Sequence, residues 1–418
     1  MRKRSLAAVA TVLALGVAAA GCGSGSGSGS GSGDDDPIVV GSTLSLTGAF
    51  AATGQIHKLA GEAYVERLNA AGGLLGRQVE WKVVDDQSDQ SKVSSLYERL
   101  ISQDRVDLII GPYATPNILS AMAVAQRHGY VMPQHTAVLA PQLTYECQFP
   151  AWSIGPTPNQ FIPTQLFDAL AAQPDPPKTV AVLTSQSGSA AFVSDGFGED
   201  KAGALSIARE RGINVVADVH YPPTTTDWAP IATQVRDANP DLVINNGLGV
   251  DAVNILQAMA QLNYHPKRMF GLFPAPGPLL DLGEVSEGVL SVSMFEPNKP
   301  TLDRLGAPAT EIVADFTARA EKAGLPYTVF ETQAAASWNA WEILTGAVRD
   351  SGGTDQQKMC DTLHEKGADT TFSGHLSFDP KVQNFWPTTQ AIKQIQQGDW
   401  VTVWPADRAA GKLAPARG

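Results

Sequence analysis

Residues 39–89 read VVGSTLSLTGAFAATGQIHKLAGEAYVERLNAAGGLLGRQVEWKVVDDQSD, and this stretch decides the fold. Its opening run of β-branched residues predicts a strand over residues 38–42, which a glycine-punctuated loop follows. Apolar residues then recur every three or four positions over 55–70, which predicts an amphipathic helix ended by the glycines at 72–73. Residues 79–83 alternate in polarity as in a strand. The stretch therefore predicts a β-α-β unit.

The rest of the chain repeats this unit, with a proline-rich connection at residues 155–158 that divides the pattern into two runs. The predicted strands are 106–110, 130–132, 179–183, 215–219, 242–245 and 269–273. The predicted helices are 93–101, 117–128, 198–211, 227–238 and 253–262. Buried strands that alternate with helices form parallel sheets through right-handed crossovers. The pattern therefore predicts an α/β fold of two doubly wound, Rossmann-like lobes.

The composition fits a folded globular body and excludes some partners. Hydrophobic residues make up 43% of the chain and charged residues 17%, and the net charge is −12. Because the body has no basic run, this charge argues against nucleic acid or anionic lipid as a partner. Cys147 and Cys360 pair in a disulfide or remain two buried thiols, and the sequence does not decide between them. Neither has metal-ligand spacing and the seven histidines show no cluster, so we expect no metal and no cofactor.

The first residues have the features of an export signal. Residues 2–4 are basic, and the apolar run 6–20 is shorter than the ~18 residues that a membrane-spanning helix needs. Small residues lead directly into Cys22, which predicts a lipoprotein signal over residues 1–22 with a lipid on the Cys22 thiol. An ordinary secretory signal is the alternative. Residues 23–37 are a Gly/Ser-rich tether, so we expect an extracytoplasmic protein held at the membrane by lipid.

Function is expected in the loops that follow the strands, because ligands of open α/β sheets bind at the carboxyl ends of the strands. Each hydroxyl of such a loop often caps its own helix. Several polar loops at one sheet edge, however, favour a cleft in which free helix N–H groups attract a carboxylate. The polar or flexible loops are 46–48, 111–115, 133–136 and 245–249.

The matches of the sequence to common enzyme motifs are incomplete. Residues 247–252, GLGVDA, fit a dinucleotide fingerprint, but the next strand ends at Phe273 without the acid that would bind the ribose. Residues 185–189 lack the glycines of a nucleophile elbow. Asp85, Asp86 and Asp89 suggest paired carboxylates or a cation site, but we favour a solvated loop that caps the helix starting at Ser91. No catalytic constellation is found, and we predict that the protein is not an enzyme.

Four segments carry a resemblance to a known family: residues 46–48 (LTG), 68–77 (LNAAGGLLGR), 84–89 (VDDQSD) and 106–112. With them, the chain resembles the type I periplasmic solute-binding proteins of the branched-chain amino acid-binding family, which serve ABC importers. The similarity extends, more weakly, to about Trp400. It implies two α/β lobes that close on a solute about a hinge.

The resemblance also implies three crossovers between the lobes, which we place near Ile154, Ser293 and Leu376. The N-terminal lobe would then comprise residues 38–154 and 294–376, and the C-terminal lobe residues 155–293 and 377–408. Partners implied by the family are a small-molecule solute and an ABC transporter permease, and we expect a monomer. A sensory lipoprotein of the same fold, which signals to a partner receptor, is the alternative.

Relatives bind the solute with residues whose positions we can match in this sequence. On the N-terminal lobe, Thr115, Gln134 and Thr136 would bind a carboxylate through hydroxyl and backbone groups. Thr47 belongs to the LTG loop, and Thr53 matches an aromatic-type position in the first loop. On the C-terminal lobe the matching residues are Phe197, as a stacking aromatic, Leu248 and Phe273.

Two of these positions depart from the family pattern. Amino acid-binding relatives hold the ammonium group with an acid where this chain has Phe273, and a polar aromatic residue is replaced by Leu248. An ammonium group buried there without a carboxylate would cost several kcal/mol. We therefore predict a small carboxylate, or another polar-headed solute, with an apolar or aromatic body. A branched-chain amino acid fits only if Asp251, Glu199 or another acid reaches the pocket.

Overall fold

The computed structural model describes residues 36–135, 137–199, 201–386 and 390–417. The predicted signal, Cys22, most of the tether and Thr136 lie outside these residues. The strands are β1 Ile38–Leu44, β2 Val79–Asp85, β3 Leu108–Ile109, β4 Met132–Gln134, β5 Gln148–Pro150, β6 Thr179–Ser185, β7 Asn214–Tyr221, β8 Leu242–Gly249, β9 Met269–Pro274, β10 Leu290–Ser293, β11 Ala368–Thr370, β12 Gly374–Leu376, β13 Ala391–Gln396 and β14 Asp399–Trp404.

The helices are α1 Ala51–Ala70, α2 Gln90–Ser102, α3 Thr115–His128, α4 Pro158–Ala171, α5 Gly188–Asp195, α6 Ala204–Glu210, α7 Ala229–Ala238, α8 Asp251–Gln261, α9 Pro276–Leu280, α10 Lys299–Leu305, α11 Ala307–Lys322, α12 Thr332–Ser351 and α13 Gln356–Lys366. None of the described helices is long and apolar enough to cross a membrane.

The opening stretch forms the predicted β-α-β unit. β1 and β2 pair in parallel from Ile38 opposite Val79 onward. Between them α1 begins four residues earlier than predicted and buries the expected apolar face against the sheet. At Gly54 the helix lies against the loop after β1 so closely that a Cβ would be 1.9 Å from the carbonyl oxygen of Ser45. This contact fixes the loop against the helix.

Two sheets form two lobes, as predicted. The first has the order β2-β1-β3, and we call it, with the helices packed on it, the N-lobe. The second has the order β14-β13-β10-β9-β8-β6-β7, and we call it, with its helices, the C-lobe. Its strands β6 to β10 run parallel, whereas β13 pairs antiparallel with β10 and β14 pairs antiparallel with β13. Helices α11 and α12 pack on α1, so the chain returns to the N-lobe between β10 and β13.

Two local predictions in the C-lobe were wrong. The helix predicted over 198–211 is α6, which begins only at Ala204, and α5, which ends at Asp195, was not predicted. Gly196 and Gly198 between them have φ of 79° and 61°, a left-handed region that glycine adopts without strain. The segment 245–249, predicted as a loop, instead continues β8 with a register irregularity between Asn245 and Leu248.

The acidic motif after β2 is not simply a solvated loop. Asp86 is fully buried and accepts hydrogen bonds from the hydroxyls of Thr43 and Ser45 at 3.0 and 2.6 Å. Asp85 accepts from the hydroxyl of Thr47 at 2.7 Å. Further along, Asp89 caps α2 through the N–H of Ser91, which is the part of the interpretation that the structure confirms. The two preceding carboxylates brace the loop after β1, where the N-lobe meets the cleft.

Cys147 and Cys360 form a disulfide, which resolves the alternative left open by the sequence. It connects the segment before β5 with α13, and 213 positions separate the two cysteines.

We expect the double variant Cys147→Ser/Cys360→Ser to lose about 2–4 kcal/mol of unfolding free energy, because the bond closes a long loop in the unfolded chain. Urea denaturation monitored by circular dichroism measures this loss. Wild-type protein treated with a reductant should lose a similar amount. An unchanged denaturation midpoint in both samples would contradict the prediction.

Candidate binding cleft

A small cavity lies where the lobes face each other. It measures about 10 Å³, roughly the space of one water molecule. Three of the residues matched from the family line it, namely Thr115, Leu248 and Phe273, and the other lining residues are Tyr113, Ala114, Val138, Ser189 and Gln333. Small-molecule pockets usually measure about 300–1,000 Å³. The cleft is therefore closed in this structure and has to open before a solute enters.

The first turns of three helices meet at this cavity. Thr115 is the first residue of α3, Ser189 the second of α5 and Gln333 the second of α12. The first turn of a helix carries N–H groups without helical partners and a partial positive charge. No side chain caps α3 or α5, whereas the carboxylate of Glu331 caps α12. Two uncapped helix ends from opposite lobes therefore present N–H groups toward an anion.

Two buried polar side chains of the cavity wall lack partners among the residues that the structure describes. The Oγ atom of Ser189 and the Oε1 atom of Gln333 make no hydrogen bond, although the residues are only 1% and 8% exposed. A buried polar group without a partner costs about 1–3 kcal/mol. A polar solute that bonds to these atoms would recover this cost.

The backbone at the start of α3 is strained. Ala114 lines the cavity with φ of 71° and ψ of 137°, a conformation that a non-glycine residue rarely adopts. Residues of this kind cost about 1–3 kcal/mol and cluster at functional sites. The strained residue thus lies in the cavity wall, directly before the first turn of α3.

Several residues matched from the family use their polar atoms to hold the N-lobe loops. The hydroxyl oxygen of Thr115 accepts the N–H of Val138 at 2.8 Å, and Gln134 Oε1 accepts the N–H of Ala137 at 2.9 Å. Thr53 is buried beside Tyr113. Thr115 can therefore bind an anion through its backbone N–H and through its hydroxyl hydrogen, because a hydroxyl that accepts one hydrogen bond can still donate another.

The other matched residues lie outside the cavity wall. Thr47 is exposed and bonds to Asp85. Phe197 is 41% exposed and packs edge-on against Phe192 at a centroid distance of 6.3 Å. Their contact with a solute stays a prediction, as does that of Thr136.

No acidic residue is among the described residues that line the cavity. The carboxyl group of Asp251 accepts hydrogen bonds from the hydroxyl of Tyr221 at 3.0 Å and from the N–H of Leu248 at 3.4 Å. Burial raises the pKa of Asp251 to about 6. Glu199 is exposed. Neither acid is placed to bind an ammonium group in the cavity.

Five lining residues were missed by sequence reasoning, and three of them, Tyr113, Ser189 and Gln333, have polar side chains. Tyr113 lay in a loop that we had marked as polar, and Ser189 in a segment that we judged only as a nucleophile elbow. Gln333 was not considered, because it follows the return of the chain to the N-lobe. Its signal was the sequence Glu331-Thr332-Gln333 ahead of a long apolar helix, which is typical of a capped helix start.

Close contacts hold the lobes together on either side of the cavity. The rings of Trp152 and Phe273 meet edge to face with centroids 5.4 Å apart. On the C-lobe, Gly277 of α9 approaches Tyr327, which precedes α12, so closely that a Cβ at Gly277 would be 2.7 Å from the Cβ of Tyr327. Closure therefore depends on the absence of a side chain at Gly277.

We expect Gly277→Ala to hold the lobes apart and to weaken solute binding about tenfold, because overpacking of a close contact costs on the order of 1–3 kcal/mol. Small-angle X-ray scattering should show a larger radius of gyration, and calorimetry a higher Kd. Gly346→Ala in α12 is the matched control, since a Cβ there meets no atom within 4 Å. Equal affinities of the two variants would contradict the prediction.

A buried cluster of charged residues lies where the chain passes between the lobes. Lys393 of β13 contacts Glu296 at 2.7 Å and Glu331 at 3.5 Å, and all three side chains are at most 5% exposed. Thr332 extends the cluster, since its hydroxyl oxygen accepts the N–H of Met294 at 3.0 Å. We call Glu296, Glu331 and Lys393 the hinge triad. It joins the segment after β10 and strand β13 to the start of α12, which lines the cavity.

Burial and the neighbouring charges have opposing effects on the pKa values of the hinge triad. Burial raises the pKa of Glu331 to about 7, and repulsion from Glu296 adds to this rise, while attraction to Lys393 reduces it. Burial also disfavours the charge of Lys393, but the two carboxyl groups outweigh this effect and raise the pKa of Lys393. Lys393 is therefore charged, and its charge is what makes two buried carboxyl groups tolerable.

Two α/β lobes that face each other across a small cavity are the arrangement of a two-lobed solute-binding protein. Comparison with known proteins agrees. The structure is similar to the leucine-binding protein LivK of Thermotoga maritima MSB8, with a TM-score of 0.69 and 18% identity over 87% of this chain and 97% of that one. It is also similar to a solute-binding protein of R. palustris in complex with benzoate, with a TM-score of 0.68 and 18% identity over 91% and 97% of the chains. These similarities show the type I periplasmic binding protein fold.

The sequence comparisons give the family. The family model described as periplasmic binding protein matches residues 37–399, so the chain belongs to the periplasmic binding protein family. The curated relatives include the Leu/Ile/Val-binding protein homolog 8 of Brucella abortus (strain 2308), which is 25% identical over 238 residues. This match covers 55% of the chain and 57% of the relative, so the chain spans little more than half of the relatives that it matches.

Proposed function

We propose that the protein binds a small organic carboxylate between its lobes and delivers it to an ABC importer. The observation that carries this proposal is the convergence of the uncapped first turns of α3 and α5 on a cavity without a lining acid. Free N–H groups of this kind favour an anion. The unpartnered Oγ of Ser189 supplies a donor on the C-lobe side.

The body of the solute is apolar or aromatic. Leu248 and Phe273 form the C-lobe side of the cavity, and no carboxylate of the described lining residues is present to pair with an ammonium group. Among proteins of similar fold, one is in complex with benzoate and another with 3,4-dihydroxybenzoic acid, while LivJ of Streptococcus pneumoniae is in complex with isoleucine. The cavity favours the first two kinds of solute over the third.

The placement of the protein in the cell is part of the proposal. The N-terminal sequence supports lipid attachment at Cys22 and an extracytoplasmic location, with residues 23–37 as the tether. The N-terminal lobe would comprise residues 38–154 and 294–376, and the C-terminal lobe residues 155–293 and 377–408. Closure would move the two lobe surfaces relative to each other, and a permease would recognise this change. Solute binding would act by shifting the population toward the closed form.

A thermal-shift screen of the purified protein tests the solute class. The panel contains benzoate, hydroxybenzoates, aliphatic carboxylates, leucine, isoleucine and valine. A solute at about 100 times its Kd adds about 2.7 kcal/mol of unfolding free energy, which raises the melting temperature measurably.

Benzyl alcohol is the matched control for benzoate, because it keeps the aromatic ring and lacks the anionic group. We expect aromatic carboxylates to shift the melting temperature and benzyl alcohol to leave it unchanged. A shift with the three amino acids alone would contradict the proposed solute, and no shift with any carboxylate would contradict the proposed anion site.

A further inference from the structure

Two imidazole rings are stacked behind the wall of the cleft cavity. The ring centroids of His57 and His135 lie 4.3 Å apart, and the residues are 0% and 2% exposed. His57 belongs to α1, and His135 directly follows β4. Tyr113, which lines the cavity, packs its ring 5.2 Å from that of His57. A single layer of side chains thus separates the two imidazoles from the cavity.

Neither imidazole has an acidic partner among the described residues. The ring nitrogens of His57 make no hydrogen bond of good geometry, although the amide of Gln333 lies beside the ring. His135 Nδ1 is 3.3 Å from the carbonyl oxygen of Pro112. Burial lowers the pKa of both groups, that of His57 well below its usual range with a contribution from His135, and that of His135 to about 4. Both rings are therefore neutral near pH 7.

The groups that face the pair from the neighbouring elements are also neutral. The loop before α3 contributes Tyr113, whose pKa burial raises. Helix α12 contributes Gln333 and Ser337, and the latter donates a hydrogen bond to the carbonyl oxygen of His57. The carboxyl group that acts on this cluster is Glu331, through Tyr113, and Lys393 already pairs with it. A protonated imidazole would have to find its counter-ion in the cavity.

We infer that His57 and His135 determine the anion specificity of the cleft by taking up one proton when a carboxylate binds. This inference rests on the proposed function. A carboxylate in the cavity lies one layer from the rings, and an opposite charge at that distance in a buried site favours the protonated imidazole. The proton comes from the solvent and binds a ring nitrogen of one histidine. The other ring stays neutral, because two cations stacked at this distance repel each other.

Calorimetry in buffers of different ionisation enthalpy tests the inference with the wild-type protein. Benzoate and the other carboxylates of the panel are titrated between about pH 5 and pH 8, where a perturbed histidine changes its charge. We expect uptake of about one proton per carboxylate at the acidic end. Between the pKa of the free protein and that of the complex, the affinity should fall by up to about tenfold per pH unit as the pH rises, and it should level off above the pKa of the complex.

His57→Gln and His135→Gln remove the titrating nitrogens one at a time, and His375→Gln of β12 is the matched control, since His375 is exposed and pairs with Asp369. We expect proton uptake to disappear in at least one of the first two variants and to persist in the control. If one variant fails to fold, the other variant and the wild-type titration still decide.

The outcomes separate the inference from the proposed function. Carboxylate binding without proton uptake by the wild-type protein would overturn the inference and leave the proposed function intact. Uptake that persists in the double variant His57→Gln/His135→Gln would likewise assign the proton to another group. Failure of every carboxylate to bind would overturn both.

Discussion

Lys393→Met is expected to lower the unfolding free energy by about 3–5 kcal/mol, because it leaves the carboxyl groups of Glu296 and Glu331 buried without a cation. Methionine retains most of the volume of the lysine stem, so the loss reports charge and not a cavity. The side chain also loses the contact of its ammonium group with the ring of Trp400, at 4.5 Å. Urea denaturation at pH 7 measures the change.

The control for this variant is Lys299→Met. Lys299 pairs with Asp303 at 2.7 Å on an exposed surface of α10, where ion pairs contribute little. A change within about 0.5 kcal/mol is expected there. Equal effects of the two substitutions would show that the hinge triad does not depend on its buried cation.

The pH dependence provides a second readout of the same cluster. The pKa of Glu331 is raised to about 7 in the folded protein, above the ordinary value of 4.5. Across this window the folded state binds more protons than the unfolded state, so the contribution of Glu331 to stability is present below about pH 4.5 and is lost as the pH rises through 7. Because Lys393 counteracts the rise, Lys393→Met should be more destabilising at pH 8 than at pH 5. Glu331→Gln should abolish this difference.

The fold followed from the sequence because its signals are local. Apolar residues at helical spacing predicted α1, and short β-branched runs predicted the parallel strands. The prediction failed at the start of α6, which begins at Ala204 and not at residue 198, because the chain that leaves α5 passes through Gly196 and Gly198 at positive φ. Glycine conformation is set by tertiary packing, which periodicity does not record.

The candidate site followed from the sequence only where the resemblance supplied positions. Thr115, Leu248 and Phe273 lie in the cavity wall, but the hydroxyl of Thr115 holds the N–H of Val138. Which polar atoms remain available is decided by loop geometry that no spacing rule gives. Gln333 comes from a segment far along the chain that the crossovers bring back to the cleft.

The contact between His57 and His135 could not be predicted from the sequence either. The seven histidines have no sequence pattern of a cluster, yet β4 and α1 bring His135 and His57 into contact. The hinge triad is likewise built from three distant segments. Charged residues at isolated positions are read as surface residues by default, and their burial becomes apparent only when the sheets are assembled.

Phe273→Ala is expected to weaken binding of an aromatic carboxylate about 100-fold. The ring of Phe273 lines the cavity and meets Trp152 edge to face across the closed cleft. Loss of a buried phenyl group costs about 3–5 kcal/mol, and an aromatic pair adds about 0.5–1.5 kcal/mol beyond the buried area. A loss of about 2.7 kcal/mol that falls on the closed, solute-bound form raises Kd about 100-fold.

Two further variants separate the role of the ring from general destabilisation. Phe273→Leu keeps an apolar side chain, and we expect an intermediate loss of affinity, because the aliphatic group fills part of the cavity wall but cannot replace the edge-to-face contact. Phe316→Ala removes a buried ring of α11 away from the cavity lining, so it should lower the melting temperature and leave Kd unchanged. Calorimetry with benzoate provides the comparison. If Phe273→Ala bound benzoate as tightly as the wild type, the assignment of the solute body to this end of the cleft would be wrong.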